Sequence, residues 1–157
     1  MPSRPKCFVQ RSLIMLKGIS PLLSPELLAI LRAMGHGDEI AVVDGNYPAL
    51  EHARRLIRLD GMNLVPVIDA ILSVLPVDDF TDQALFRSTV GENPEKLHDI
   101  HKSMIVTCNK YAPNRSLTPL VGDKFYDRVK NCHAIVSTSE PCLYANLIIR
   151  KGVIYPS

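Results

Sequence analysis

The chain has 157 residues, the size of one ordinary domain with a single core. Hydrophobic residues make up 46%, charged residues 22%, and the formal charge is only +2, which argues against a disordered chain and against a nucleic-acid-binding protein. Every apolar run is shorter than the roughly 20 residues that cross a bilayer, which argues against a membrane protein.

The first residues and the cysteines indicate the domain boundary and the compartment. Residues 1–12 carry basic side chains and no acidic one, and the apolar run that follows, 13–16, is too short for a secretory signal. We expect residues 1–12 to be a disordered tail and residues 13–157 to form one domain. The cysteines lack C-x-x-C spacing, which favours buried thiols in a reducing cytoplasm. They are Cys7, Cys108, Cys132 and Cys142.

A helix followed by a strand is predicted first along the chain. Ser24 is a typical N-cap, Pro25 suits the first turn, and Glu26 lies at the positive end of the helix dipole. Gly35 is expected to end this helix. The continuous apolar run at residues 40–43 predicts a strand that is covered on both faces.

A turn, a second helix and a second strand are predicted next. Residues 44–46 form the turn, and apolar residues at helical spacing predict a helix over 64–75, which Pro76 stops. Residues 77–80 are expected to be a loop, and residues 84–90 a strand.

The remaining segments continue the alternation of helices and strands. Asn93-Pro94-Glu95 resembles a helix start, and one apolar face then continues to Cys108. The later predictions are a loop or short irregular strand at 112–121, a short helix at 124–130, and strands at 134–137 and 147–149, the last extended through 152–155. This alternation predicts a single three-layer α/β domain with a mixed, largely parallel sheet flanked by helices.

His36 is the first candidate for chemistry. It lies between two glycines at a helix-to-strand junction, where its imidazole is uncrowded. Histidine is the usual side chain for moving a proton near neutral pH. The alternative interpretation is a loop histidine with no task, and the local pattern alone does not separate the two.

Other polar residues also have two interpretations. Asp44 follows a buried strand, where α/β sheets often present binding groups, although it can also simply start a turn. Asp78 lies on a loop after a helix-ending proline, where acids are usually solvated.

His98 and His101, three residues apart, could share a metal, but without a third ligand a packed helix face is the better interpretation. Tyr144 and Asn146 precede a strand and can bind a polyol or cap backbone groups.

Several segments, taken in order, resemble the ribose pyranase/L-fucose mutarotase family. The strongest are Leu16-Lys17-Gly18-Ile19-Ser20-Pro21, Ser24-Pro25-Glu26-Leu27-Leu28 and Met34-Gly35-His36-Gly37-Asp38-Glu39-Ile40. Weaker similarities follow at Asp44-Gly45-Asn46-Tyr47-Pro48, Leu75-Pro76-Val77-Asp78 and Phe125-Tyr126-Asp127-Arg128, and the end matches again from Tyr144-Ala145-Asn146 to Lys151-Gly152-Val153.

The resemblance implies a ribose pyranase-like domain and a sugar mutarotase. It implies no metal and no organic cofactor, a small reducing monosaccharide as ligand, and a ring-shaped homo-oligomer, often a decamer, whose pockets lie near subunit contacts. Residues from two chains are therefore expected to complete one pocket.

Residue by residue, the resemblance assigns catalysis and sugar binding to different positions. His36 matches the proton donor, and Asp78 and Tyr126 match further catalytic positions. Asp44, Tyr144 and Asn146 match substrate-binding positions. An Arg that bacterial fucose mutarotases carry before the Phe-Tyr pair is absent from Gly122-Asp123-Lys124-Phe125-Tyr126, so the sugar stays open.

The sequence therefore predicts a cofactor-independent isomerase that interconverts the anomers of a reducing sugar, with L-fucose favoured. His36 would protonate the ring oxygen, and Asp78 or Tyr126 would handle the anomeric proton. A D-ribose pyranase and a non-catalytic sugar-binding protein are the alternatives.

Overall fold

Strands and helices alternate along residues 14–157, the part of the chain that the computed structural model describes. The expected tail at 1–12 lies outside these residues. In chain order the elements are α1 (Pro25–Ala33), β1 (Glu39–Val43), α2 (Ala49–His52), β2 (Leu56–Leu59), α3 (Leu64–Leu72), β3 (Leu85–Ser88), α4 (Asp99–Tyr111), β4 (Leu117–Leu120), α5 (Asp123–Lys130), β5 (Ala134–Thr138) and β6 (Leu147–Arg150).

The strands form one six-stranded sheet in the order β2-β5-β1-β6-β3-β4. β1 and β2 both pair parallel to β5, and β3 pairs parallel to β4. β6 pairs antiparallel to both of its neighbours, β1 and β3. No crossover helix separates β5 from β6, so the chain returns in the opposite direction. The predicted mixed, largely parallel sheet is confirmed.

Alternate residues of β1 enter the two cores on the opposite faces of the sheet. Ile40 and Val42 join the larger core, which contains apolar side chains of α1, α3 and α4. Ala41 and Val43 join the smaller core, to which α2 and α5 contribute. Both faces are therefore covered, which is why β1 is apolar throughout and why the domain has three layers.

The start of α1 follows from its predicted cap. The Ser24 hydroxyl accepts a hydrogen bond of 3.2 Å from the Leu27 amide. The helix ends at Ala33 because Met34 adopts an extended conformation. Gly35 therefore lies at the C′ position expected for it, although without the left-handed φ that is common for glycine there.

The predicted helix start at Asn93-Pro94-Glu95 is wrong, since α4 begins at Asp99. The Asn93 side chain instead accepts a bond of 3.0 Å from the Glu95 amide, which makes a tight turn. The buried Arg87 guanidinium donates to the Pro94 carbonyl at 2.6 Å and holds that turn against β3. A local turn, held by side-chain bonds within residues 87–95, therefore replaces the predicted helix start.

The ends of α3 and β6 also differ from the predictions, and two short elements are missed. α3 ends at Leu72 rather than at residue 75. β6 is not extended through 152–155; beyond its end, Lys151 forms only an isolated bridge with Val77. The short elements α2 and β2 are not predicted, because β2 is an edge strand with the charged Arg58 in its centre.

Candidate active site

His36 and Asp78 form a hydrogen-bonded pair at the sheet edge where β1 begins and β6 ends. Nε2 of His36 lies 3.0 Å from Oδ1 of Asp78, although 42 positions separate the two residues. The Asp78 amide donates to the Arg150 carbonyl at 3.0 Å, which fixes the loop after α3 to the end of β6. The His36 side chain is 39% exposed and that of Asp78 is fully buried, so the histidine is the partner that a ligand can contact.

The Asp78 carboxylate is held ionised by the donors around it. The Phe80 amide donates to Oδ1 at 3.0 Å, and Nε of Arg150 donates to Oδ2 at 2.7 Å. Burial raises the pKa of Asp78, but the bonds from Phe80, Arg150 and His36 outweigh burial and lower the pKa to about 2. An ionised carboxylate only accepts, so Nε2 of His36 carries the proton in this bond and Nδ1 is the nitrogen left for a ligand.

Two glycines allow the loops around this pair to approach closely. Gly37 has φ of +86°, and a Cβ there would lie 2.9 Å from Nη2 of Arg150. A Cβ on Gly152 would lie 2.6 Å from the Val77 carbonyl oxygen and 2.8 Å from the Asp78 Cα. Larger residues at these positions would push Arg150 or Asp78 away from the histidine.

A row of charged side chains extends from Asp78 across this edge of the sheet. Nη1 of Arg150 lies 3.9 Å from Oε1 of Glu39. Arg128 forms two bonds with the same carboxylate, from Nη2 to Oε1 at 2.6 Å and from Nε to Oε2 at 3.0 Å. Arg150 is not among the predicted site residues, because a basic residue that ends an apolar strand has no local signature of a site.

Aromatic side chains lie beside the imidazole. The Phe80 ring centroid is 4.7 Å from that of His36, and Tyr155 stacks on Phe80 at 6.3 Å. Phe80 is 62% exposed and Tyr155 61%. An exposed aromatic surface therefore lies on one side of the imidazole.

Asp44 and Asn146 meet at the opposite sheet edge, where β1 ends and β6 begins. The Asn146 side-chain oxygen accepts from the Asp44 amide at 2.9 Å, and its nitrogen donates to the Ser88 hydroxyl at 3.2 Å. Both residues are buried. Burial raises the pKa of Asp44, opposed by hydrogen bonds from Asn46 and Asn146.

Two exposed tyrosines lie at this second edge. Tyr144 has a left-handed φ of 61°, and its side chain is partly accessible. The Tyr126 ring on α5 lies 5.3 Å from those of Tyr47 and His52, close to the turn after Asp44. We call the group at this edge the Asn146 cluster; it consists of Asp44, Ser88, Tyr144 and Asn146.

The predicted residues thus fall into two groups at opposite ends of one strand. β1 has five residues and, at 3.3 Å per residue, separates the His36–Asp78 pair from the Asn146 cluster by about 16 Å. Tyr126 lies on the side of the cluster, against Tyr47. A single monosaccharide cannot contact both groups within one chain.

No metal site is found within residues 14–157, where no three His, Cys, Asp or Glu side chains lie close enough to share an ion. His98 and His101 interact with the backbone instead, since the His98 amide donates to Nδ1 of His101 at 3.0 Å. The helices in this region also lack the combination of length and apolar character that a bilayer span requires.

Comparison with known proteins gives consistent matches over nearly the whole chain. The L-fucose mutarotase of Glaesserella parasuis serovar 5 is 36% identical over 142 residues, which cover 88% of this chain and 96% of that protein. The fucose mutarotase of Homo sapiens is 36% identical over 151 residues, covering 90% and 96%.

Solved structures give the same match in three dimensions. The fucose mutarotase from Streptococcus pneumoniae, crystallised in complex with L-fucose, superposes with a TM-score of 0.83 at 37% identity, covering 89% of this chain and all of that one. RbsD of Bacillus subtilis, complexed with D-ribose, shares the fold at 20% identity with a TM-score of 0.65, covering 85% and 95%. Residues 17–154 match the RbsD/FucU transport protein family. The chain is therefore a member of the RbsD/FucU family.

Proposed function

We propose that this protein is a mutarotase that interconverts the anomers of a reducing monosaccharide, with L-fucose as the favoured substrate. The observation that carries the proposal is the partly exposed His36 bonded to a buried, ionised Asp78. The similarity to proteins named fucose mutarotase supports the choice of reaction and sugar.

Anomer exchange requires only proton transfers and a bond rotation. The ring opens when its oxygen gains a proton and the anomeric hydroxyl loses one; the open aldehyde rotates about C1–C2 and closes again. No electrons are transferred and no group leaves, so side chains that carry protons are sufficient.

In this proposal the imidazolium form of His36 delivers a proton from Nδ1 to the ring oxygen as the ring opens, and Nδ1 takes a proton back when the ring closes. Asp78 is fully buried and its low pKa makes it a weak base, so its burial argues that it orients the imidazole and stabilises the imidazolium. Tyr126 is exposed and is then the better candidate for the anomeric proton. Asp44, Tyr144 and Asn146 would bind the sugar hydroxyls.

We propose further that each pocket is completed by two chains of a ring-shaped homo-oligomer, a decamer by family resemblance. The distance along β1 between the His36–Asp78 pair and the Asn146 cluster supports this arrangement. The exposed Phe80 and Tyr155 beside His36, and the 57% exposed Leu143 beside Tyr144, are the kind of apolar surface that a second copy covers. A cytoplasmic location is proposed with it, supported by the free thiols of Cys108, Cys132 and Cys142.

Saturation-transfer NMR on L-fucose tests the activity. We expect His36→Gln to reduce the exchange rate by about a hundred- to ten-thousand-fold, the usual contribution of a positioned acid–base group. His133→Gln is the matched control, since this histidine has no contact with Asp78. Unchanged exchange in His36→Gln would refute the proposal, and D-ribose measured in parallel decides between anomer exchange on fucose and a ribose pyranase.

Mixed oligomers test the two-chain pocket. His36→Gln and Asn146→Ala chains, each inactive alone, should regain about a quarter of the wild-type rate when co-assembled at equal amounts, because random neighbours then restore some intact pockets. Absence of any recovery in verified mixed oligomers would mean that one chain holds a complete pocket.

A further inference from the structure

His101 is fully buried on α4, and both of its ring nitrogens are engaged. Nδ1 accepts a hydrogen bond of 3.0 Å from the His98 amide. Nε2 lies 2.8 Å from the Tyr144 carbonyl oxygen, which can only accept, so Nε2 carries the proton. These two partners fix the neutral tautomer and the ring orientation.

The residue at the other end of this bond has an unfavourable backbone conformation. Tyr144 is the only non-glycine residue with a positive φ within residues 14–157, at 61°. A tyrosine rarely adopts this region without tertiary contacts that hold it there. The conformation carries the chain from the exposed Tyr144 side chain to the buried Asn146.

Two donors converge on the Tyr144 carbonyl. Besides His101, the Ser88 hydroxyl donates to it at 2.8 Å. The same hydroxyl accepts from the Asn146 side-chain nitrogen at 3.2 Å. The Ser88 hydroxyl thus links the Tyr144 backbone carbonyl to the side-chain amide of Asn146.

We propose that His101 is a positioning residue for sugar binding: with Ser88, it holds Tyr144 in its left-handed conformation and so sets the orientation of both Tyr144 and Asn146. The inference rests on the proposed function for the sugar-binding role of these two residues. It assigns a task to a histidine that the resemblance to known sugar mutarotases leaves unassigned.

The surroundings of His101 keep it in the required form. Burial lowers the pKa of the imidazole; the bond to the Tyr144 carbonyl opposes this, and the positive charge of Arg87 lowers the pKa further, so that the net shift is downward. His101 therefore stays neutral and retains one donor and one acceptor at neutral pH. A side chain that only fills space would need neither the donor at Nε2 nor the acceptor at Nδ1.

Two substitutions separate the two hydrogen bonds. His101→Asn places an oxygen near the position of Nδ1 and keeps the bond from His98, but loses the donor to Tyr144. His101→Gln places its amide nitrogen near the position of Nε2 and keeps the bond to Tyr144. Each variant loses one buried bond, so both should unfold at similar temperatures.

We expect the KM for L-fucose to rise about tenfold in His101→Asn, the effect of one lost hydrogen bond, and about twofold or less in His101→Gln. kcat should change little in both, because neither substitution removes a hydrogen bond of His36 or Asp78. Cys108→Ala is the control, since Cys108 is buried on the same helix and has no bond to Tyr144; it should lower stability but not raise KM. Equal KM values for the Asn and Gln variants would overturn the inference.

An NMR measurement keeps this test independent of activity. In wild-type protein, nitrogen-15 shifts should show His101 protonated at Nε2. The amide signals of Tyr144 and Ala145 should move in His101→Asn and stay close to wild type in His101→Gln. If these NMR shifts are observed but no sugar exchanges, the proposed mutarotase activity is rejected and the positioning role of His101 stands. If His101 is instead protonated at Nδ1, the positioning role itself is rejected.

Discussion

Replacing Asp78 by Asn tests the geometry around His36 most directly. Oδ1 of Asp78 accepts from His36 and from the Phe80 amide, and Oδ2 accepts from Arg150 at 2.7 Å. Asn has only one acceptor oxygen, so its NH2 group must face either the guanidinium or both the Phe80 amide and His36. At least one donor is then left without a partner.

The structure gives a magnitude for this loss. Leaving one buried donor unsatisfied costs about 1–3 kcal/mol, and more when that donor is charged. Independently, lowering the pKa of Asp78 from 3.8 to about 2 stabilises the fold by about 2 kcal/mol at neutral pH. We therefore expect Asp78→Asn to lower the free energy of unfolding by about 2 kcal/mol, or the Tm by roughly 4–8 °C for a domain of this size.

The pH dependence distinguishes the carboxylate from a general packing defect. Because the pKa of Asp78 is lowered on folding, its contribution is complete above the unfolded pKa near 4 and is lost as the pH falls toward about 2. Urea unfolding should show the full difference between wild type and Asp78→Asn at pH 7 and a shrinking difference from pH 4 downward. A difference that stays constant at acidic pH would show that the ionised carboxylate is not its source.

The same variant should slow anomer exchange in saturation-transfer NMR by up to about ten-thousand-fold, as loss of the carboxylate does for another histidine-based site. Wild-type exchange in a folded Asp78→Asn protein would refute the proposal that Asp78 orients His36. Retained exchange together with lowered stability would leave Asp78 a structural role only.

Two further changes test the packing that supports the site. Gly152→Ala should lower the free energy of unfolding, measured in urea, by about 1–3 kcal/mol, because the new Cβ would lie 2.6 Å from the Val77 carbonyl oxygen. Gly35→Ala is the control, since its Cβ meets nothing closer than 3.6 Å. Equal stability of the two variants would contradict the close contact at Gly152. Ser24→Ala should lower the free energy of unfolding by about 1 kcal/mol, because the bond to the Leu27 amide is lost, and Ser24→Asp should restore most of that loss. Equal melting temperatures of wild type and both variants would show that this cap does not stabilise α1.

Much of the fold can be predicted from the sequence, because burial of one or both faces of a helix or strand sets the spacing of its apolar residues. The apolar run of β1 and the capped start of α1 indicate element type and position directly. The prediction fails at Asn93-Pro94-Glu95, where a local helix-start signal competes with a bond from Arg87. The sequence does not indicate that the guanidinium of Arg87, six positions earlier, is buried against this turn.

The candidate site divides in the same way. The sequence alone determined that His36 lies between glycines that leave its imidazole uncrowded, that Asp44 follows a buried strand, and, through an ordered set of motifs, the family. Only the tertiary structure decided that Asp78 and Arg150, 72 positions apart, share a bond behind the imidazole. It also decided that the His36–Asp78 pair and the Asn146 cluster lie at opposite ends of β1. Local patterns record which face of an element is buried, whereas a contact between distant segments depends on sheet order and register, which no single segment encodes.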